Sequence, residues 1–433
     1  MTTAYERTEV PPRIDRHYYR DESVADEEFK RIFAKTWLIV GHESEIAEPG
    51  DYVSRRMGRD PVIVARSENG EINVLLNSCT HRGTQVCKAA AGNSATFICG
   101  YHGWLFGNDG KLRGVPGRTT LYGPDFDLST HGLRKARVAV RHGLIFATWN
   151  QDAASIEEFL GDIDWYLAAL YDFFPGGMEV YGGVHRVTAR GNWKLHVDNF
   201  SGDGYHLRTA HRTMFELAVM GEQAKATDGW MVADPHGHSL RVQHLHDPAD
   251  AESVFGHPAE LVDAARKSAS KDQFAFRAGT SVIHGAIFPN TVLITTAPEQ
   301  FGTDASGQTA FYQMRQIIPI DAHSHETVYY TLVPKDAPED WKKKSYLFCT
   351  RQHGAASFFE ADDLENFRRI DAGVSGLQGD DAPFNYDLGI GAQQGPPAPW
   401  DGPGTIWRQD FTEYNQRNFI RRYLDAMKSG EQQ

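Results

Sequence analysis

The feature that most constrains this chain is a pair of short segments that each carry one cysteine and one histidine. The first is Cys79-Thr-His81, and the second, Cys99-Gly-Tyr-His102, begins after residues 82–98. Both lie in a stretch of short β-type runs broken by glycine turns, so each is predicted to occupy a tight turn of a small all-β domain. The two turns have to face each other if their four side chains are to bind one group.

A common zinc finger supplies two cysteines first and two histidines later, whereas here each segment supplies one of each. That arrangement suits a two-iron cluster in which one iron binds both thiolates and the other binds both imidazoles. A structural zinc site and four unrelated buried residues are the alternatives. Gly83, Gly100 and Gly103 would leave backbone amides free to approach the sulfurs.

The other two cysteines, Cys87 and Cys349, lack a histidine partner and are predicted to be buried thiols, Cys349 within a β-like run. Disulfides are not expected, because the chain opens on charged residues without an apolar signal core and has no apolar run long enough to cross a membrane. We therefore expect a cytoplasmic protein without a membrane partner. The net charge of −13 argues against nucleic acid as a partner.

A second group of metal-binding residue types lies at Asp203, His206 and His211. Asp203 and His206 are nearly one helical turn apart and are predicted to share a helix face. The two histidines would be about 140° apart on an ideal helix, so a helix that lets both bind one metal must widen or end there. Two histidines and one carboxylate form the facial triad of a non-haem Fe(II) oxygenase.

Candidates for the carboxylate follow far downstream, and spacing alone does not choose among them: Glu360, Asp362, Asp363 and Glu365. The alternative is a solvated acidic helix start. A second histidine-rich run is predicted to be an exposed strand or lid loop rather than a metal site: His236, His238, His244 and His246. His196 is predicted to pack or to donate hydrogen bonds.

Patterning along the chain predicts two domains. Helical character near 26–34 precedes β-rich runs up to Asn150, and helical patterning returns at 156–171. Strand-like runs follow at 281–296, 311–320 and 327–334, then a Pro- and Gly-rich surface loop at 376–404 and a last helix at 412–427. We expect a β domain at 37–152, with 1–36 and 153–433 forming a catalytic domain.

On these residues the sequence resembles the α-subunits of Rieske non-haem iron aromatic-ring-hydroxylating dioxygenases. The resemblance covers nearly the whole chain and rests on CTHRG, CGYHGW, GNWKLHVDNFSGDGYH with its trailing His211, and FFEADDLENF. It implies an α+β fold, in which a small all-β Rieske [2Fe-2S] domain is inserted in a larger catalytic domain built on an antiparallel, helix-grip-like sheet.

The resemblance also implies roles for single residues. The cluster ligands would be Cys79, His81, Cys99 and His102. The iron ligands would be His206, His211 and Asp363, the second aspartate of its pair. Asp203 would be a catalytic bridge that reaches His206 and accepts a hydrogen bond from His102 of a neighbouring subunit. The substrate pocket would be lined by Asn199 (also expected to be catalytic), Phe200, Leu207, His353 and Phe359.

The implied activity is hydroxylation, expected to be cis-dihydroxylation, of an aromatic ring with O2. Electrons from NAD(P)H would arrive through a reductase and ferredoxin, and the assembly would be α3β3 or α3. His353 stands where hydrocarbon-oxidising relatives are usually apolar, with Arg351 nearby, which favours an oxygenated or carboxylated aromatic substrate. A monooxygenase acting on an aromatic acid and a non-catalytic electron carrier are the alternatives.

Basic residues gather around the cluster segments: Arg82, Lys88, Lys111, Arg113 and Arg118. They are either a docking surface for an acidic ferredoxin or an ordinary solvated face.

Overall fold

The computed structural model describes residues 13–221, 224, 228–246, 252–254, 256–298, 309–391 and 401–428. The chain divides into two compact units. One is Ile32–Ile156, and the other combines Met1–Arg31 with Glu157–Gln433. Along the sequence, the first unit therefore interrupts the second.

Strands contribute about as much as helices to the regular structure. Those described are β1 (Arg13–Ile14), β2 (Leu38–His42), β3 (Asp51–Met57), β4 (Asp60–Arg66), β5 (Ile72–Leu76), β6 (Ala91–Asn93), β7 (Thr96–Ile98), β8 (Leu105–Gly107), β9 (Leu112–Gly114), β10 (Arg137–Arg141), β11 (Leu144–Thr148), β12 (Met178–Arg190), β13 (Trp230–Ala233), β14 (Ser239–His244), β15 (Thr280–Ile287), β16 (Thr291–Thr296), β17 (Phe311–Asp321), β18 (Ser324–Pro334), β19 (Phe384–Asn385) and β20 (Thr405–Trp407).

The described α-helices are α1 (Glu22–Glu28), α2 (Arg118–Leu121), α3 (Ile156–Leu160), α4 (Ile163–Tyr171), α5 (Trp193–Phe200), α6 (Leu207–Ala210), α7 (Arg212–Glu216), α8 (Ala259–Ser268), α9 (Lys271–Ala278), α10 (Glu339–His353), α11 (Phe358–Val374) and α12 (Tyr414–Lys428). A π-helical turn, Phe29–Phe33, follows α1. Within the described residues, no helix is both long and apolar enough to span a membrane.

The unit Ile32–Ile156 consists of three small sheets, ordered β5-β4-β3-β6, β7-β8-β9 and β10-β11-β2. Residues 62–65 of the central strand β4 are all buried, whereas its neighbour β3 alternates between buried and half-buried side chains. The core of this unit contains the thiols of Cys79 and Cys99 together with Trp104 and Phe106. The two cysteine-bearing turns are therefore anchored in a packed interior.

The other unit is built on an eight-stranded sheet in the order β12-β18-β17-β16-β15-β14-β13-β20. Every neighbouring pair is antiparallel. Helix α5 packs on β15–β17, α10 on β17 and β18, and α12 on β13 and β14. Strand β16 lies between β15 and β17 under α5, and it is buried along its whole length. The predicted α+β class, with an all-β domain and a large antiparallel sheet, is confirmed.

A buried ion pair ties three helices of this unit together. Glu28, the last residue of α1, pairs with Lys194 of α5, and both side chains are at most 2% exposed. Glu28 also accepts hydrogen bonds from Trp193 Nε1 at 2.7 Å and from the hydroxyl of Tyr423, on α12, at 2.6 Å. The carboxylate of Glu28, on α1, is thus bound by residues of α5 and α12. A buried ion pair needs such additional hydrogen bonds if it is to stabilise the fold.

Several local expectations differ from the structure. The helix predicted at 156–171 is two helices, α3 and α4, because Gly161 between them has a left-handed φ of +50°. Cys349 lies in α10 and not in a β-like run. The buried positions of α10 include Lys342, Ser345, Phe348, Cys349 and Gln352, a helical spacing of three and four residues. The predicted loop 376–404 contains β19, and its residues 392–400 lie outside the described part of the chain.

Candidate metal centres

The two cysteine–histidine turns are closed by the same backbone hydrogen bonds. In the first turn, which lies between β5 and β6, Gly83 N–H donates to the carbonyl of Cys79 at 2.7 Å. In the second, between β7 and β8, Gly103 N–H donates to Cys99 at 2.9 Å. Both glycines have left-handed φ, +78° and +71°, which side-chain-bearing residues rarely adopt. The turns therefore present their side chains from matching backbones.

The four side chains of these turns supply a donor set of two thiols and two imidazoles. His81 Nδ1 and His102 Nδ1 are 3.1 Å apart. The His81 ring stacks on Trp104, with centroids 5.0 Å apart and the planes inclined by 5°. Two imidazole nitrogens this close could bind one shared metal ion.

Backbone amides surround the two buried thiols. Burial raises the pKa of Cys79, although N–H groups of His81 and Arg82 approach its sulfur. For Cys99, burial is outweighed by the N–H groups of Tyr101 and His102, with help from Cys79 and Lys88, so that its pKa is lowered. Hydrogen bonds to sulfur are what a negatively charged cluster requires. The residues present therefore fit a two-iron, two-sulfur group.

In the second unit, three ligand-type atoms converge. His206 Nε2 and His211 Nε2 are 3.2 Å apart, and Asp363 Oδ1 lies 3.5 Å from the first and 3.3 Å from the second. Such a triangle of two imidazole nitrogens and one carboxylate oxygen can hold a metal ion. His206 immediately precedes the four-residue helix α6 and His211 immediately follows it. Ending the helix on both sides solves the angular problem that a continuous helix would create.

The four downstream carboxyl groups have four different surroundings. Asp363 joins the triangle, whereas Asp362 Oδ2 lies 3.1 Å from Nδ1 of His211, on the far side of that ring. Glu360 is buried against Arg315 and Tyr329, each within 2.6 Å. Glu365 is bound by Arg368 and Arg369 at the surface. The packing of α11 thus brings Asp363, and not the other three carboxyl groups, next to both His206 Nε2 and His211 Nε2.

Asp203 does not share a helix face with His206, contrary to the sequence expectation. Helix α5 ends at Phe200, and Gly202 follows with φ +131°. Asp203 instead lies in a turn, where its Oδ2 is 3.3 Å from Nδ1 of His206. Burial disfavours the charged form of His206, but Asp203, with Asp363 adding to its effect, raises the pKa of that imidazole to about 9. The amide of Asn199 completes this surrounding, with Nδ2 at 3.4 Å from both His206 Nε2 and Asp363 Oδ1.

A cavity of about 620 Å³, counting its open mouth, begins at the triangle. The pocket residues expected from the sequence all line it: Asn199, Phe200, Leu207, His353 and Phe359. Arg351 does not, because its position on α10 is exposed to solvent. The polar groups on the cavity wall therefore belong to residues other than Arg351.

Those other residues form two rows across the sheet. Arg241, His284 and Ile294 are paired in register on β14, β15 and β16, and so are Gln243, Val282 and Thr296. All six line the cavity, together with Met220. Sequence patterning identified the strands around 281–296 but not which face would meet the metal triangle, since that depends on sheet register.

The histidine-rich run contains a structural residue. His238 is fully buried, its Nε2–H donates to the carbonyl of Phe159 at 2.7 Å, and its Nδ1 accepts from Phe288 N–H at 2.9 Å. The prediction of an exposed strand or lid was therefore wrong for this position. The prediction agrees better with the other three: His246 is exposed, and His236 and His244 are half-buried.

Two protein families match different parts of this chain. Residues 36–129 match the Rieske [2Fe-2S] domain family, and residues 178–428 match the ring hydroxylating alpha subunit (catalytic domain) family. The N,N-dimethyl phenylurea N-demethylase subunit alpha of Sphingobium sp. (strain YBL2) is 32% identical over 429 residues, which cover 95% of this chain and 91% of that protein.

Two dioxygenases are also similar. The large oxygenase component of the naphthalene 1,2-dioxygenase system of Pseudomonas aeruginosa is 32% identical, over 93% of this chain and 89% of that protein. The crystal structure of naphthalene 1,2-dioxygenase from Rhodococcus sp. bound to indole superposes with a TM-score of 0.91 at 36% identity, covering 97% and 95% of the two chains. The chain belongs to the family of Rieske-type ring-hydroxylating oxygenase alpha subunits, with a Rieske [2Fe-2S] domain and a catalytic domain that carries a His-His-Asp candidate site for mononuclear iron.

Proposed function

We propose that this chain is the catalytic component of an oxygenase that cis-dihydroxylates an aromatic ring, using O2 and two electrons from NAD(P)H. The observation that carries the proposal is the triangle of His206, His211 and Asp363 at the end of a cavity whose walls include Phe200, Leu207 and Phe359. An apolar cavity holds an aromatic ring against the metal and excludes water from it.

We assign the two-iron cluster to Cys79 and Cys99 on one iron and to His81 and His102 on the other. In this assignment residues 37–152 receive electrons, and residues 1–36 with 153–433 carry out the oxygenation. None of the four cysteines forms a disulfide, which fits a cytoplasmic location, since that compartment keeps thiols reduced.

We assign the mononuclear iron to His206, His211 and Asp363; when bound, it supplies open coordination positions for dioxygen. The chain's own contribution is to fix the ligands. Asp362 accepts Nδ1–H of His211, and Asp203 faces Nδ1 of His206, so both rings turn an Nε2 lone pair toward the triangle. Asn199 offers an amide N–H group to the same space.

The partners follow from the family. The relatives named as large oxygenase components work within dioxygenase systems, and we propose that a reductase and a ferredoxin deliver electrons here as well. We further propose a ring of subunits, α3 or α3β3 with a small subunit, in which His102 of one chain donates to Asp203 of its neighbour.

Isotope labelling tests the reaction. The holoprotein is supplied with a ferredoxin–reductase chain, NADH, ¹⁸O2 and a panel of aromatic compounds, and products are identified by mass. Dihydroxylation consumes one O2, one NADH and one proton per cis-diol and places both labelled atoms in one product molecule. His206→Ala should form no product; product from that variant, or none from the wild type with any aromatic compound, would contradict the proposal.

A second candidate function is monooxygenation, because a relative of equal identity is named as an N-demethylase. In that case one labelled atom enters the product and the other leaves as water. An N-methylated phenyl compound should then release formaldehyde in proportion to NADH consumed. Formaldehyde without any doubly labelled diol would favour the second candidate over the first.

A further inference from the structure

Two histidines that the metal centres do not use face the same cavity from different elements. His284 lies on β15 and His353 is the last residue of α10, and both line the cavity. The His353 ring stacks on Phe359 at 4.8 Å with the planes inclined by 10°, and Phe359 in turn contacts His211 at 5.0 Å. The His284 ring lies 5.8 Å from Phe200. A single aromatic ring therefore separates His353 from the triangle.

Their ring nitrogens differ from those of other interior histidines. His196, His238, His257 and His325 all make hydrogen bonds through their rings. No hydrogen bond to a ring nitrogen of His284 or His353 is found within the described part of the chain. Both side chains are half-buried and line the cavity, so these nitrogens are available to a molecule that binds there.

The charges around the cavity are already compensated. Arg241, which lines it, is bound by Asp410 at 2.7 Å, and Arg315, behind Phe200, is bound by Glu360 at 2.6 Å. Burial, with Arg241 next in effect, lowers the pKa of His284, and burial with Arg315 does so for His353. Each imidazole is thus neutral and offers one hydrogen-bond donor and one acceptor.

We propose that His284 and His353 form a hydrogen-bonding subsite for a neutral polar group, such as a hydroxyl, amino or carbonyl group, on the aromatic substrate. The inference rests on the proposed function and names its substrate class. An unsubstituted hydrocarbon would displace water and leave both imidazoles unpaired, which a hydrogen-bonding site rejects. A carboxylate placed at these two histidines would meet no free arginine or lysine among the described lining residues, since Arg241 is paired with Asp410.

The test compares three bicyclic compounds that differ in one substituent: naphthalene, 2-naphthol and 2-naphthoate. Their dissociation constants are measured anaerobically on the holoprotein by equilibrium dialysis. We expect 2-naphthol to bind at least about tenfold more tightly than either other compound. Equal affinities, or tightest binding of naphthalene or 2-naphthoate by the wild type, would overturn the inference without any variant.

Variants then locate the preference. His353→Phe keeps a ring stacked on Phe359 and removes both nitrogens, and His284→Phe does the same on β15. Each should lower the 2-naphthol to naphthalene affinity ratio, and the double variant should bring it to about one. His17→Phe, whose ring contacts Tyr18 at the surface, is the matched control and should keep the wild-type ratio. A ratio that persists in the double variant would show that other groups select the substrate.

Product analysis separates this inference from the proposed function. If aromatic compounds are hydroxylated without a preference for 2-naphthol, the function stands and the subsite fails. If 2-naphthol binds with the expected preference but no oxygen is incorporated into any compound, the subsite stands and the function fails. Iron content and thermal melting of each variant show that a lost preference is not a lost fold.

Discussion

Asp203 holds His206 at two points: Oδ1 accepts the backbone N–H of His206 at 3.2 Å, and Oδ2 lies 3.3 Å from Nδ1 of the same residue. Oδ1 also accepts the N–H of Tyr205 at 3.0 Å. One carboxylate oxygen thus fixes the backbone turn while the other is free to orient the imidazole. Oδ1 thus carries the local turn, and Oδ2 is the oxygen that the proposed bridge would use.

Asp203→Asn separates those roles. The amide oxygen can still accept both backbone N–H groups, so we expect the fold, both metals and the oligomer to be retained. The amide nitrogen would meet Nδ1 of His206 as a donor instead of an acceptor. Turnover should fall by at least about 100-fold. Single-turnover kinetics with substrate and O2 measure it, and near-normal oxidation of the reduced cluster would show that no bridge is needed.

Asp363→Ala and Asp362→Ala should differ in kind. The first removes an atom of the triangle, so mononuclear iron and product formation should be lost while the cluster spectrum persists. The second removes only the acceptor behind His211, and iron affinity should fall by about 10- to 100-fold. Iron titration with visible spectra distinguishes the two. Loss of iron in Asp362→Ala alone would reverse the assignment.

Cys79→Ser should give a protein without the red-brown colour and without the reduced-state spin-resonance signal of low average g that histidine-ligated clusters give. Cys87→Ser is the matched control, because that thiol is buried in the same core but contacts Ser54, Ala89 and Tyr52 and not the two histidines. His102→Ala should behave like Cys79→Ser. Colour and signal in Cys79→Ser equal to the wild type would exclude this cluster.

Lys88→Glu should slow reduction of the cluster by ferredoxin severalfold at low salt, and less at high salt. Lys88 is exposed and lies near Cys99 and Gly100. Arg113 is less suited to docking because Asp109 binds it at 2.7 Å. Stopped-flow rates with ferredoxin and with dithionite make the comparison, and Lys135→Glu is the control. A docking role is excluded if both reductants are slowed equally.

Glu28→Gln should lower the free energy of unfolding by about 3–5 kcal/mol, because it leaves the ammonium of Lys194 buried without a counter-charge. Glu27→Gln, one residue earlier at the surface, should change it by less than about 1 kcal/mol. Denaturant unfolding followed by tryptophan fluorescence measures both variants. A loss in Glu28→Gln no larger than that in Glu27→Gln would contradict this expectation.

Much of the proposed cluster site could be read from the sequence because its proposed ligands lie in local turns. The fixed spacing of Cys79 and His81, and of Cys99 and His102, together with glycines at 83 and 103, describes each turn within a few residues. The pair His206 and His211 could also be identified from the sequence. The sequence suggested that Asp203 and His206 share a helix, but residues 201–206 lie between α5 and α6. The residue types thus identified the two histidines, but they did not predict the backbone conformation around them.

Long-range packing decided what the sequence left open. Asp362 and Asp363 differ only in which way α11 turns them, and that depends on contacts of the helix with distant strands. The lining residues Arg241, Gln243 and His284 were missed because the register of β14–β16 determines which alternate side chains face inward. Arg351 was expected near the substrate because it is two residues before His353. On helix α10, however, side chains two residues apart point in different directions, and only His353 faces the cavity.

The contacts of Glu28 limit the order in which the two units can finish folding during synthesis. The residues of the unit Ile32–Ile156 are contiguous, so all of them have left the ribosome while much of the other unit is still being made. Glu28 needs Lys194 and then Tyr423, which is 395 residues further along the chain. The unit Ile32–Ile156 can thus acquire its shape early, as domains do during translation, whereas the buried charge of Glu28 on helix α1 is fully satisfied only after helix α12 has been made.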